Sequence, residues 1–348
     1  VKEVPATPVR NQQRTGTCWC FSTVALLEAE LLRMGKGEYD LSEMYIVRRN
    51  FETKGDKYVR MHGQITFSQG GVYESGLDAI RSYGIVPEEA YRGMNYGDTI
   101  HSHGELNAVT KAYIDAVTKN RSRRLTTAWK DGYHNILDAY LGEVPEKFTY
   151  KGVEYTPQSF ANSLGLNLND YVNITSFTHH PFYTKFALEI PDNYLWGEMY
   201  NVPMDELMKI IDNAIEQGYT VAWDADISEK GFRHKDGYAV VPEKDEDLDQ
   251  AGSDRARWEA ASGNKNEKKK EEPKPSIIKE KVITQEMRQK AFDNYETNDD
   301  HLMLINAIAK DQNGNRFYKV KNSWGTDNSR YDGFLFVSAP YIQSKTIS

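Results

Sequence analysis

Apolar residues recur at Phe21, Val24, Ala25, Leu27, Leu31 and Leu32, three and four positions apart, which predicts a helix opening at Cys18 with one face in a core. Thr17 is its expected N-cap, and Gly35 and Gly37 its expected stops. A second helix is predicted from Leu41-Ser42-Glu43, capped by Asp40 or Ser42, and a third runs through Leu77, Ile80 and Tyr83 to Gly84. Residues 100–170 are polar and helical in pattern, clearest at 107–117 and 135–140, and read as an insertion on a helical lobe spanning 1–170. From Tyr171 the character changes. Tyr171–Thr175 and Tyr219–Asp224 read as strands, separated by a helix through Leu207, Met208, Ile211 and Ile215 that begins at Pro203 and ends at Gly218. A short helix at 286–292 precedes His301, where an apolar run, a turn at Asp311–Asn315 and a second run to Asn322 predict a hairpin. Helices first and strands later make an α+β protein, with a β-rich lobe over 171–348.

Chemistry gathers at the two ends of this pattern. A thiol in a first helical turn feels the positive end of the backbone dipole, which favours the nucleophilic thiolate. A Cys beside a Trp is more often core than catalyst, so other residues must raise the reading. Gln12 lies six positions before Cys18, in a loop that folds back over the helix start; its amide and the Cys18 N–H can form an oxyanion hole. The predicted hairpin brings His301 and Asn322 to one end of a sheet, as a base and the group that orients it, with Trp324 as a cover over their hydrogen bond.

The motifs Gln12…Gly16-Thr17-Cys18-Trp19, His301 before an apolar strand, and Asn322-Ser323-Trp324-Gly325 resemble the papain-type cysteine peptidases. With Leu41–Tyr45 and Gln69-Gly70-Gly71 the chain is similar more narrowly to their bleomycin hydrolase or aminopeptidase C branch. The resemblance implies one peptidase domain of two lobes with large insertions, His301 standing 283 positions after Cys18 against roughly 130–150 in papain itself. It implies a Cys18-His301-Asn322 triad acting on peptides through a thioester, with Gln12 at the oxyanion and Gln69, Gly70, Gly71, Trp19 and Asp224 near the substrate. It further implies an aminopeptidase of broad side-chain tolerance, a cytoplasmic location and a hexameric assembly. Members carry a longer leading segment and a C-terminal arm that confines cleavage to the amino end. Here 17 residues precede Cys18 and the sequence stops at Ser348, which keeps an endopeptidase open as an alternative, and a first residue Val1 that is not Met keeps an exported protein open beside it. A catalytically idle peptide-binding protein is the third reading.

Composition narrows the rest. A chain of 348 residues, 39% hydrophobic, can bury a substantial core, and its net charge of −8 argues against a phosphate-binding surface, so no nucleic-acid partner is expected. No apolar run approaches a membrane span. Cys18 and Cys20 point in different directions on one helix, so no disulfide joins them, and Cys20 reads as core. His101 with His103 and His179 with His180 read as solvated loop histidines, and no metal or cofactor is implied. Arg121, Arg123 and Arg124 read as a solvated face, and the charged run at 243–275 as a mobile surface loop.

Overall fold

The computed structural model describes residues 1–121, 124–244, 278–327 and 329–348. The loop expected at 243–275 therefore lies outside the described residues beyond Lys244, as does Arg123. The chain divides into a helical unit, residues 5–173 with 185–199, and a sheet unit, residues 1–4, 174–184 and 200–348.

In the helical unit α1 (Cys18–Arg33) is buried on every side from Cys18 to Ala29, not on one face as the spacing predicted. Helices α2 (Glu43–Arg60) and α3 (Tyr73–Tyr83) pack against it, so its small polar residues Ser22 and Thr23 are enclosed as well. α1 ends as expected at Gly35, in the left-handed region at φ +71°. The Lys36 and Gly35 amides donate to the Leu31 and Leu32 carbonyls, each at 3.0 Å, which satisfies two terminal acceptors. Ser42 is the cap of α2, accepting the Tyr45 N–H at 3.1 Å. The polar insertion forms α4 (Gly104–Thr118) and α5 (Ala128–Leu141), both packed on α2, with the buried Tyr133 hydroxyl donating to the Phe51 carbonyl at 2.8 Å. A hairpin and α6 (Pro157–Leu164) follow.

One segment departs from the sequence reading. Residues 185–199, expected in the β-rich half, belong to the helical unit: the Tyr194 hydroxyl donates to Asn50, Ser68 donates to Asp192 at 3.1 Å, and Lys57 lies 3.8 Å from the Trp196 ring centre. Its anchors are single side chains without a periodic pattern, which left nothing to read. The strand expected at Tyr171–Thr175 shrinks to Ile174–Thr175.

The strands used below are numbered along the chain: β1 (Lys2–Glu3), β2 (Val221–Ala225), β3 (Phe232–Arg233), β4 (Tyr238–Ala239), β5 (His301–Lys310), β6 (Arg316–Lys321) and β7 (Phe334–Ser338). They form one sheet in the order β1-β5-β6-β7-β4-β3, with β2 paired to the same edge of β5 as β1. The amphipathic α7 (Met204–Glu216) packs on it through Leu207, Met208, Ile211 and Ile215, and Trp223, Ile305, Val320 and Tyr341 complete that core. The predicted hairpin is β5-β6. Its register shifts by one residue between Ile305 and Ala307, leaving Asn306 as a bulge that holds the chain start: Val4 N–H donates to the Asn306 carbonyl at 2.8 Å.

Candidate active site

In the helical unit the loop before α1 is closed on itself. Gln12 is buried; its amide nitrogen donates to the Thr15 carbonyl at 2.7 Å, and the Thr15 hydroxyl donates back to the Gln12 carbonyl at 2.7 Å. Gln13 adopts a left-handed φ of +57°, a conformation disfavoured for a side-chain-bearing residue and held here because its own amide oxygen takes the His101 N–H. The Gly16 N–H donates to Gln69 Oε1 at 2.8 Å. These clamps deliver Cys18 as the first residue of α1. Thr17 occupies the N-cap position, but its hydroxyl lies 2.6 Å from the Thr15 hydroxyl instead of bonding a helix amide, which corrects the expected side-chain cap. That hydroxyl belongs to the loop's own network, leaving the first helical amides to other acceptors.

Gln69, Gly70 and Gly71 lie along this same loop. The Trp19 indole donates to the Gln69 carbonyl at 3.0 Å, and Lys54 donates to the Gly70 carbonyl. A Cβ on Gly70 would fall 1.9 Å from Asp192 Oδ2, and one on Gly71 3.1 Å from the Trp19 ring, so a side chain at the first position would require the Asp192 carboxylate to move. Trp19 has no exposed surface. Its indole anchors the Gln69 backbone. Cys20 is core as expected. It donates to the Glu43 carbonyl at 3.2 Å, and burial pushes its thiol well up, helped by the nearby charges of Glu43 and Cys18. Neither cysteine forms a disulfide among the described residues. His103 corrects the solvated reading too: it has no exposed surface, both ring nitrogens lack a hydrogen-bond partner among the described residues, and burial pulls it down to about 4, with His101 adding to the shift.

In the sheet unit His301 opens β5 and is buried. Its Nε2 lies 2.7 Å from Asn322 Oδ1, which also accepts the Ser323 N–H at 2.8 Å. The Leu304–Lys321 pair, carried three residues further, sets His301 opposite Trp324, and the two rings stand 4.9 Å apart at 34°. The Asn306 bulge matters here, because a one-residue slip moves a side chain to the other face of the sheet. Burial pulls His301 down to about 4, while the Asn322 bond and the Asp300 charge pull it up. Asp300 accepts from the Ser228 hydroxyl at 2.5 Å and faces Asp226, whose carboxyl is pushed up to about 7 by burial and then by the Asp300 charge. Asp224 is buried on β2, and its backbone pairs with Ile347 and Ser348. The sequence reading missed His234. Its Nδ1 lies 3.2 Å from Asn322 Nδ2, and its ring meets Trp324 edge-on at 4.9 Å.

A family profile described as the peptidase C1-like family matches residues 1–247. The chain belongs to that family. The matched stretch holds Gln12, Cys18 and Gln69–Gly71; His301 and Asn322 follow it. Aminopeptidase G of Lactobacillus delbrueckii subsp. lactis is 22% identical over 97% of this chain and 78% of its own. The mitochondrial cysteine proteinase 1 of Saccharomyces cerevisiae is 22% identical over 99% of this chain and 74% of its own. A crystal structure of PepW from Lactobacillus rhamnosis HN001 superposes with a TM-score of 0.73 at 19% identity, covering 99% of this chain and 80% of that one, which shows a shared fold. This member of the peptidase C1-like family is thus an α+β cysteine-type peptidase of the aminopeptidase C and bleomycin hydrolase branch, and it acts on peptides. Among its described residues no helix is long and apolar enough to cross a membrane.

Proposed function

We propose that the chain is a cysteine aminopeptidase in which Cys18 is the nucleophile, His301 its base, Asn322 the group that orients the base, and Gln12 an oxyanion donor. In this reading the helical unit supplies the nucleophile and the sheet unit the base. The observation that carries it is the buried His301–Asn322 bond of 2.7 Å. The Ser323 N–H can only donate, so the Asn322 atom it meets is the amide oxygen, and His301 Nε2 must carry the proton it shares with that oxygen. The other ring nitrogen, Nδ1, then bears a lone pair. It takes the Cys18 proton, the thiolate attacks the peptide carbonyl, and the Cys18 N–H with the Gln12 amide receives the oxyanion. His301 returns the proton to the leaving amine, and water, deprotonated by the same ring, opens the thioester. The Gln69 and Gly70 carbonyls hold Trp19 and Lys54, which fixes the backbone along which the proposed strand-like contact with an extended substrate runs.

The amino-end preference rests on the likeness to aminopeptidases G and C. A free-amino dipeptidyl fluorogenic substrate and its acetylated twin test both parts. Hydrolysis of the free-amino substrate alone, reduced about 10⁴-fold or more in Cys18→Ala, is the expected result. Equal hydrolysis of the twin makes the enzyme an endopeptidase, and an unimpaired Cys18→Ala removes the nucleophile.

A further inference from the structure

We infer that His234 is a positioning residue for the proposed catalytic pair: as a hydrogen-bond acceptor it fixes the orientation of the Asn322 amide and, through it, the tautomer of His301. The inference rests on the proposed triad and extends it by one residue.

Because the Ser323 N–H meets Asn322 Oδ1 at 2.8 Å, the atom of Asn322 facing His234 is the NH₂ nitrogen, at 3.2 Å from His234 Nδ1. An amide nitrogen only donates, so His234 Nδ1 accepts and its proton sits on Nε2. The bond is buried on both sides. If the amide turned over, its nitrogen would face His301 Nε2 and demand a lone pair there, driving the His301 proton to Nδ1. A ring protonated at Nδ1 cannot take a proton from a thiol at that atom. His234 and the Ser323 N–H act on opposite ends of the same amide, and both select the productive orientation.

The fold spends several interactions on placing this acceptor. His234 is the first residue of the tight turn between β3 and β4. Across that turn Arg233 and Asp236 pair at 2.7 Å, and the Gly237 N–H returns to the Arg233 and His234 carbonyls. Gly237 has φ +81°, and a Cβ there would lie 2.4 Å from the Tyr331 ring, so the turn admits only glycine at its close. Parallel pairing of β4 with β7 then carries the turn to the end of the sheet, where β6 delivers Asn322.

Two substitutions separate the acceptor from the ring. His234→Asn places an amide oxygen at the position of Nδ1 but loses the ring against Trp324. His234→Phe keeps an aromatic edge on Trp324 but loses the acceptor. We expect His234→Phe to lower kcat about tenfold with KM within about twofold, the worth of one buried hydrogen bond, and His234→Asn to keep most of kcat. In an Asn322→Ala background His234→Phe should cost nothing further. The reverse order, with Phe active and Asn impaired, would mean that the ring only packs. A full tenfold loss persisting in Asn322→Ala would equally overturn the inference, as would a His234→Phe enzyme at wild-type kcat beside an impaired Asn322→Ala. An Asn322→Ala enzyme at wild-type kcat would instead overturn the triad itself. Thermal melts of each variant identify a loss that comes from unfolding.

Discussion

The helical unit and the sheet unit position their proposed catalytic residues in opposite ways. Around Cys18 much is local: Gln12, Thr15 and Thr17 bond one another within six residues, and Gln69 and the His101–His103 segment join them from elsewhere. Around His301 almost nothing is local. His301, Asn322, Trp324 and His234 come from three separate stretches, and their meeting depends on strand register and on one bulged residue. A local site tolerates changes far along the chain but not within its own loop. A sheet-built site has its weak points at turns and bulges well away from the chemistry.

The sharpest way to break this comparison is at Gln12. If the loop is itself part of the chemistry, Gln12→Ala lowers kcat about a hundredfold with little change in KM, as loss of one oxyanion donor does. Unaltered kcat in steady-state kinetics would make Gln12 a structural closure for Thr15 alone. Gly70 sharpens the same side. Gly70→Ala forces a Cβ onto Asp192 and should cost about 2 kcal/mol in chemical denaturation, recovered in part by adding Asp192→Ala. A neutral Gly70→Ala would show that the segment 185–199 yields freely.

The smallest expected effect asks whether the two units respond alike to pH. Each holds a carboxyl raised to about 7, the half-buried Glu88 in one and the buried Asp226 in the other, and a buried histidine lowered to about 4, His103 and His301. The histidines oppose protonation, so their contribution is lost as pH falls from about 6.5 toward 4. For Glu88 the sign is opposite: between about 4.5 and 7 the folded protein binds more protons than the unfolded chain, so stability falls as pH rises through that window. Glu88→Gln mimics the neutral form. It should raise stability by about 1–2 kcal/mol at pH 8 and leave pH 5 nearly unchanged, read from denaturant midpoints. An equal gain at both pH values would mean that Glu88 is not protonated in the fold.

These differences follow how much of each half could be read from residues in order. Helix α1, its stop at Gly35, the hairpin from His301 and the turn at Asp311–Asn315 were legible because periodicity, glycine and turn chemistry are local signals. The burial of Trp19 and Asp224 was not legible, because order along the chain says nothing about which side of the backbone is enclosed. His103 was misjudged because a polar stretch around it concealed a packed helix start.

The sequence by itself determined the residue types, the order of the motifs and the helical start that makes Cys18 unusual, since each depends on neighbours within a few positions. Packing and register decided how closely Asp192 approaches Gly70, that residues 185–199 rejoin the helical unit, and that His234 stands behind Asn322. Those facts depend on contacts between residues tens of positions apart, and a β register fixed by a single bulge leaves no periodic trace in the chain.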